Sequence, residues 1–249
     1  MSNRSVDELL AALDGVDGWL SADQVRRLYR AAAATAAGDR IVEIGSFRGR
    51  STIVLAGAAA EGVVIVAIDP HAGNDRGPHQ ISGFDVEAAD DHDRFIANLA
   101  TAGVAHRVHH VREFSDKAHD SVSGPVAVLF IDGAHRFGPA RSDIRLWGAR
   151  VTAGGTMLIH DSFSSVGVTL AISRELMLGI RFRYVGRSRS LTEYRADLGS
   201  GWRARIFNAL RQIAQMPWFA KNLAIKVLLS LHLGWVIKRI IGRPPEWPY

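Results

Sequence analysis

A chain of 249 residues with 47% hydrophobic content can bury one sizeable core, and its lack of cysteine excludes disulfides, thiolate metal sites and a cysteine nucleophile. Its net charge of +5 is unevenly spread: residues 201–249 hold eight Lys or Arg against Glu246 alone, a net +7 that leaves −2 for the rest. The pI near 10.0 thus describes a tail and does not mark a basic catalytic domain.

The opening segment, MSNRSVDELLAALDGVDGWL, sets acidic residues among its apolar positions and lacks the basic start and unbroken apolar stretch of a signal peptide. No window reaches about 18 uncharged apolar residues, so a cytoplasmic protein is expected. Leu9, Leu10 and Leu13, then residues 20–33, predict two short amphipathic helices lying across a sheet as a lid or edge. The period then changes. Residues 40–44, 63–68, 108–111, 126–131 and 156–160 are short β-branched or aliphatic runs of the kind buried on both faces of a parallel sheet. Helical stretches at 51–60, 90–102, 137–147 and 166–178 alternate with them. The alternation predicts an α/β fold, Rossmann-like and doubly wound. Residues 181–185 and 191–195 predict a terminal antiparallel hairpin, which makes a mostly parallel seven-stranded sheet.

Residues 71–89 are long, Gly-rich and without period, a loop over the functional edge that reads either as a substrate-covering segment or as a surface insertion. The tail, 201–249, reads as a C-terminal helical extension of a domain spanning 1–200. Trp202, Ile206, Leu210 and Ile213 share one helical face and Arg205, Asn208, Gln212 and Gln215 the other, an amphipathic helix ending near Pro217. Residues 218–241 then mix bulky aliphatics and Trp with Lys and Arg on every side, and such a segment wants burial. Packing on the domain, a homodimer, and peripheral contact with the inner face of an anionic membrane are the open outlets. Nucleic acid is not expected, because basic residues interleaved with bulky aliphatics fit it poorly.

The first predicted strand runs into VEIGSFRGRS, residues 42–51, which places Gly45 and Gly49 in a strand-to-helix turn where backbone must approach a ligand closely. A nicotinamide fingerprint starting at Gly45 would need glycines at Phe47 and Arg50, and it fails. The second strand ends in IDP; Asp69, 24 positions beyond Gly45, can accept both hydroxyls of a ribose or serve as a turn aspartate. The fourth strand ends in FIDGAHRF and the fifth in GGTMLIHDS, which brings Asp132, His135, His160 and Asp161 to the edge that holds the glycine loop. An imidazole with an ordinary pKa near 6.5 suits removal of a hydroxyl proton, so His135 is a candidate general base, or else the cap of the following helix. His92, His106, His109, His110 and His119 have no such setting and are expected to be solvated or loop residues.

Taken together, VEIGSFRGRS, AIDPH, LFIDGAHRF and AGGTMLIHDS resemble class I S-adenosylmethionine-dependent methyltransferases of type 24, related to metal-dependent sugar O-methyltransferases. The resemblance implies that Glu43, Gly45, Ser46, Gly49 and Ser51 form the loop meeting the amino acid end of S-adenosylmethionine. It also implies that Asp69 and Asp132 face the cofactor and that Phe114 and Ser115 lie against its adenine. It implies a divalent cation, Mg²⁺ or Mn²⁺, held by Asp132 and Asp161 with His160 at a position where relatives often carry a carboxylate. The acceptor it implies is a small molecule or saccharide, a hydroxyl of a sugar or glycolipid. The rivals are a nicotinamide-dependent oxidoreductase and a non-catalytic protein that keeps a cofactor fold and interacts through its tail.

Overall fold

The protein is described by a computed structural model that covers residues 4–72, 84–233 and 239. Local sequence starts the first two helices. Ser5 and Glu8 form a capping box at α1 (Val6–Ala12), and Ser21 and Gln24 form another at α2 (Ala22–Ala33), so each helix begins with its orphan amides partnered. Leu9 of α1 seats directly on Gly57 of α3 (Arg50–Ala58), where an added methyl would lie 2.5 Å from its Cδ2. Leu9, Leu13, Val25 and Leu28 join Ile41, Ile53 and Phe130 in one core layer. The first two helices therefore build a face of the domain and not a lid or edge; the turn between them, with Gln24 of α2, borders the strand ends.

The sheet has seven strands: β1 (Arg40–Ile44), β2 (Val64–Ile68), β3 (Val108–Val111), β4 (Val126–Ile131), β5 (Val151–Ile159), β6 (Arg183–Ser188) and β7 (Leu191–Arg195). Their order is β3-β2-β1-β4-β5-β7-β6, parallel throughout except that β7 runs antiparallel to both β5 and β6. Strands buried on both faces explain the near-continuous apolar runs. The second layer, centred on Trp147, Leu129 and Tyr194, is covered by α5 (Phe137–Leu146) and α6 (Val166–Ile172). A fully buried side chain of this size contributes about 1.5–3 kcal/mol relative to exposure. Since chain order reverses between β1 and β4, the crevice for a ligand falls there.

Register carries the argument to the site. Ile44 pairs with Ile68 and Ile131, Ile68 with Val111, and Ile131 with Ile159, so the five parallel strands end in one row. The residues that follow, including Gly45, Asp69, Asp132 and His160, emerge together at that edge.

Several boundaries differ from expectation. β5 begins five residues early, α6 passes into a wider turn over Ser173–Met177, and α4 (Phe84–Thr101) takes in the end of the expected 71–89 loop. The middle of that loop, 73–83, lies outside the described residues. The expected tail helix forms as α7 (Trp202–Ile213), but α8 (Met216–Ser230) follows at once with Pro217 in its first turn, where a missing amide costs nothing. The structure decides which face of α7 is inside. Asn208 and Gln212 are buried, while Trp202, Ile206, Leu210 and Ile213 face outward. The cause is the hairpin beneath. Asn208 accepts from the Tyr184 amide at 2.7 Å and donates to the Phe182 carbonyl at 3.1 Å, and Gln212 receives the Tyr194 hydroxyl at 3.2 Å. Unpaired edge groups of β6 select the polar stripe. No helix among the described residues is long and apolar enough to cross a membrane.

Candidate active site

At the strand ends lies a cavity of about 960 Å³, lined among others by Gly45, Ser46, Asp69, Phe114, Asp132 and His160. The turn after β1 owes its glycines to packing. Gly45 has φ +84°, and a Cβ there would sit 2.4 Å from the Asp132 carbonyl oxygen. Gly49, at φ +86°, would meet Phe95 and Leu99 of α4 at 3.3 and 3.4 Å, and it does not line the cavity. Positive φ together with crowding by the residues after β4 and by α4 demands glycine at both positions. Ser46 and Ser51 do face the cavity, and the Ser46 hydroxyl is buried without a hydrogen-bond partner.

Asp69 is the staple of this loop. Its Oδ2 accepts the amides of Ser46 and Phe47, each at 2.8 Å, and its Oδ1 accepts the His71 amide at 2.8 Å. A carboxylate offers about four lone-pair sites, so room remains for a ligand hydroxyl. Glu43 lies behind the loop, outside the cavity: its carboxyl accepts the hydroxyl of Ser51 and, at 2.5 Å, that of Thr52. Burial pushes Glu43 up to about 8. It braces the first turn of α3, a correction to the expectation that it meets a ligand.

Phe114 is exposed toward the cavity, and Ser115 beside it donates to Asp143 Oδ1 at 2.6 Å. Burial raises that α5 carboxyl to about 6. On the opposite wall Asp132, His135 and Asp161 bring one ligand atom each to within 4.8 Å of one another. His135 Nε2 stands 2.5 Å from Asp161 Oδ2, and its Nδ1 is buried without a partner. Asp161 occupies φ +54°, left-handed backbone for a residue with a side chain, and Phe163 does the same; strain of this kind gathers where a side chain must be aimed. Burial disfavours charge on Asp161, yet the imidazoles of His160 and His135 outweigh it and hold this carboxyl well below its ordinary range. Burial likewise opposes the His135 cation, and Asp161 outweighs it, raising the group.

His160 lies behind that cluster, its Nδ1 3.6 Å from Asp161 Oδ2. Its Nδ1 is 2.9 Å from Asp132 Oδ1 without hydrogen-bond alignment, and its Nε2 is 3.2 Å from the amide nitrogen of Gln24. Gln24 has its oxygen committed to Ser21 at 2.8 Å, so in the neutral imidazole Nε2 accepts and Nδ1 carries the proton. Burial opposes its charge, and the Asp132 and Asp161 carboxylates outweigh that, pushing His160 up to about 10. Of the expected ligand set Asp132, His160 and Asp161, the two carboxylates gather with His135, and His160 lies directly behind them.

Other participants were invisible in the sequence. Arg50 donates to the carbonyls of Leu13 and Val16 at 2.9 and 2.6 Å and draws the α1–α2 turn over the glycine loop, where Trp19 meets Phe47 at 5.1 Å between ring centroids. The Ser21-x-x-Gln24 capping pattern was the available signal for Gln24; Arg50 and Asp143 left none. Of the histidines expected to be solvated or in loops, three are packed, and of these only His119 lies in a loop. His92 and His110 form a ring cluster with His71 and Phe95, and His119 stacks on Trp147. Burial, with His71 and His92 adding to it, lowers His110 to about 4. His106 and His109 are exposed.

Comparison with known proteins agrees with this geometry. Residues 42–162 match the family model described as a methyltransferase domain, type 24. The O-methyltransferase NovP superposes with a TM-score of 0.58 at 14% identity, over 71% of this chain and 81% of its own. The O-methyltransferase TomG from Streptomyces achromogenes, in complex with SAM, gives 0.50 at 18%, over 79% and 91%. An O-methyltransferase from Bacillus cereus, in complex with SAH, gives 0.50 at 16%, over 76% and 88%. At these identities the superpositions speak for the fold. A seven-stranded sheet of this order, with a glycine turn after β1 and acids after β2, β4 and β5, is the class I methyltransferase fold. The family model covers residues 42–162, just under half of the chain, and over that stretch the α/β domain is similar to the type 24 methyltransferases.

Proposed function

We propose that the enzyme transfers the methyl group of S-adenosylmethionine to a hydroxyl oxygen of a sugar or glycolipid-type acceptor, assisted by a divalent cation. The observation that carries this reading is the meeting of Asp132, His135 and Asp161 beside the glycine loop in one cavity. The catalytic unit is assigned to residues 1–200, with α7 and α8 packed on it as an accessory segment.

Cofactor binding falls to the loop surface of Gly45, Ser46 and Ser51, to Asp69 and Asp132, and to Phe114 and Ser115 on the adenine side. The unpartnered Ser46 hydroxyl is a donor held ready for a ligand, since a buried polar group left unpaired costs about 1–3 kcal/mol. S-adenosylmethionine supplies the methyl group on a sulfonium leaving group. The protein's own work is to orient the acceptor and manage its proton. His135 takes that proton: the adjacent Asp161 stabilises the imidazolium that results, the same contact that raises the group at rest. Two carboxylates suit Mg²⁺ or Mn²⁺ if water completes the shell. Asp132 and Asp161 would hold the cation, whose chemistry there is to lower the pKa of the acceptor hydroxyl and fix its direction.

Calorimetric titration tests the reading. S-adenosylmethionine and S-adenosylhomocysteine should bind at micromolar levels, and Asp69→Ala should weaken both by about tenfold or more, the loss of a charged hydrogen-bond partner. Mn²⁺ should bind the wild type and not Asp161→Ala. Binding of NAD in place of both methyl-cycle ligands would overturn the assignment.

A further inference from the structure

The polar stripe of α7 is consumed by the domain, and this leaves the molecule with an outward apolar face. Trp202 and Phe207 are each 66% exposed, and Ile206, Leu210 and Ile213 are at least half exposed. Arg205 donates to the Leu178 carbonyl at 3.1 Å, which sets Leu178 and Ile180, both more than two-thirds exposed, alongside the helix. A soluble monomer seldom exposes so many bulky apolar groups together. The charge around them is of one sign. From residue 198 to 245 there is no Asp or Glu, and Arg203 and Lys221 are exposed within the same two helices.

We propose that this face of α7, with the exposed side of α8, docks the enzyme on an anionic lipid surface. An aromatic and aliphatic stripe enters the headgroup boundary, and the exposed cations Arg203 and Lys221, on helices that carry no acid, meet the anionic headgroups. A protein partner of opposite charge would also satisfy the cations, but Trp202 beside Arg203, with the ring and guanidinium 5.4 Å apart, is the pairing that the membrane interface favours. The docking face leads to the site. Leu223 and Lys226 of α8 line the cavity, and Asn222 ties that helix to the Phe163 carbonyl at 3.2 Å. On the acceptor reading proposed above, a docked enzyme therefore borders its cavity with the helix that lies at the lipid, and the hydroxyl it methylates is one carried on a lipid.

Co-sedimentation of the full chain with vesicles decides this. Vesicles of about three parts phosphatidylcholine to one part phosphatidylglycerol should retain the wild type roughly tenfold better than phosphatidylcholine alone, with the difference shrinking as salt rises. The double variant Ile206→Glu, Leu210→Glu changes only exposed positions and should lose vesicle binding while keeping wild-type affinity for S-adenosylhomocysteine. Loss of both would indict the fold of the variant, and the milder Ile206→Ser, Leu210→Ser pair, again expected to weaken vesicle binding with cofactor affinity intact, then decides. Wild-type retention no better than the variant's would overturn the proposal. So would a wild-type dimer in light scattering that the variant converts to monomer without any vesicle binding, because the face would then belong to a second copy. Failure of S-adenosylhomocysteine to bind the wild type would strike the functional assignment alone and leave the docking result standing.

Discussion

Glu43 carries the sharpest contrast between pattern and place. The acid before the first glycine is visible in VEIG, yet its carboxyl faces Ser51 and Thr52 under the loop. Because its folded pKa is raised from an ordinary 4.5 to about 8, the folded state holds the proton more tightly than the unfolded chain. The associated stability is fully present below the unfolded value and is lost as pH rises through 8. Glu43→Gln should therefore flatten the decline in melting temperature between pH 5 and 9, by several degrees at the alkaline end, and leave S-adenosylhomocysteine affinity within about twofold. A large loss of affinity in that variant would return Glu43 to the ligand. Gly45 answers to backbone crowding, so Gly45→Ala should cost about 2 kcal/mol or more in denaturant unfolding, with no ligand present.

At the level of elements, the five parallel strands were legible because burial on both faces leaves runs such as VAVLFI with no competing period. The strand-end residues followed from them, since a parallel register places Asp69, Asp132 and His160 at one edge whatever the helices do. What the pattern could not carry was partner choice over long separations. Gln24 reaches His160, 136 positions away, and nothing in either neighbourhood encodes the pairing. For α7 the period was right and left the buried face open: amphipathicity gives two faces, and the hydrogen-bonding demand of β6 chose the polar one. Gln212→Leu would make the helix more apolar, yet it should destabilise the protein by about 1–3 kcal/mol, because the Tyr194 hydroxyl loses its buried acceptor. An increase in thermal stability would refute this orientation of α7.

For the whole molecule, the expected division at residue 200 meets an interface. Met216, Trp218 and Phe219 pack against the core that holds Trp147 and Tyr194, Arg187 lies 3.9 Å from the centre of the Trp218 ring, and Lys226 donates to the Ser164 carbonyl at 3.0 Å. Removing 201–249 would strip cover from the hairpin and from one wall of the cavity, so a chain ending at 200 should melt well below the full protein. The central claim is that the edge between β1 and β4 binds the methyl donor. A crystal structure with S-adenosylhomocysteine at saturating concentration tests it most directly. The account predicts density in the cavity, with the ribose at Asp69, the adenine beside Phe114 and Ser115, and the amino acid end on the Gly45–Ser46 turn. An empty cavity at saturation, or density at any other edge of the sheet, would contradict it.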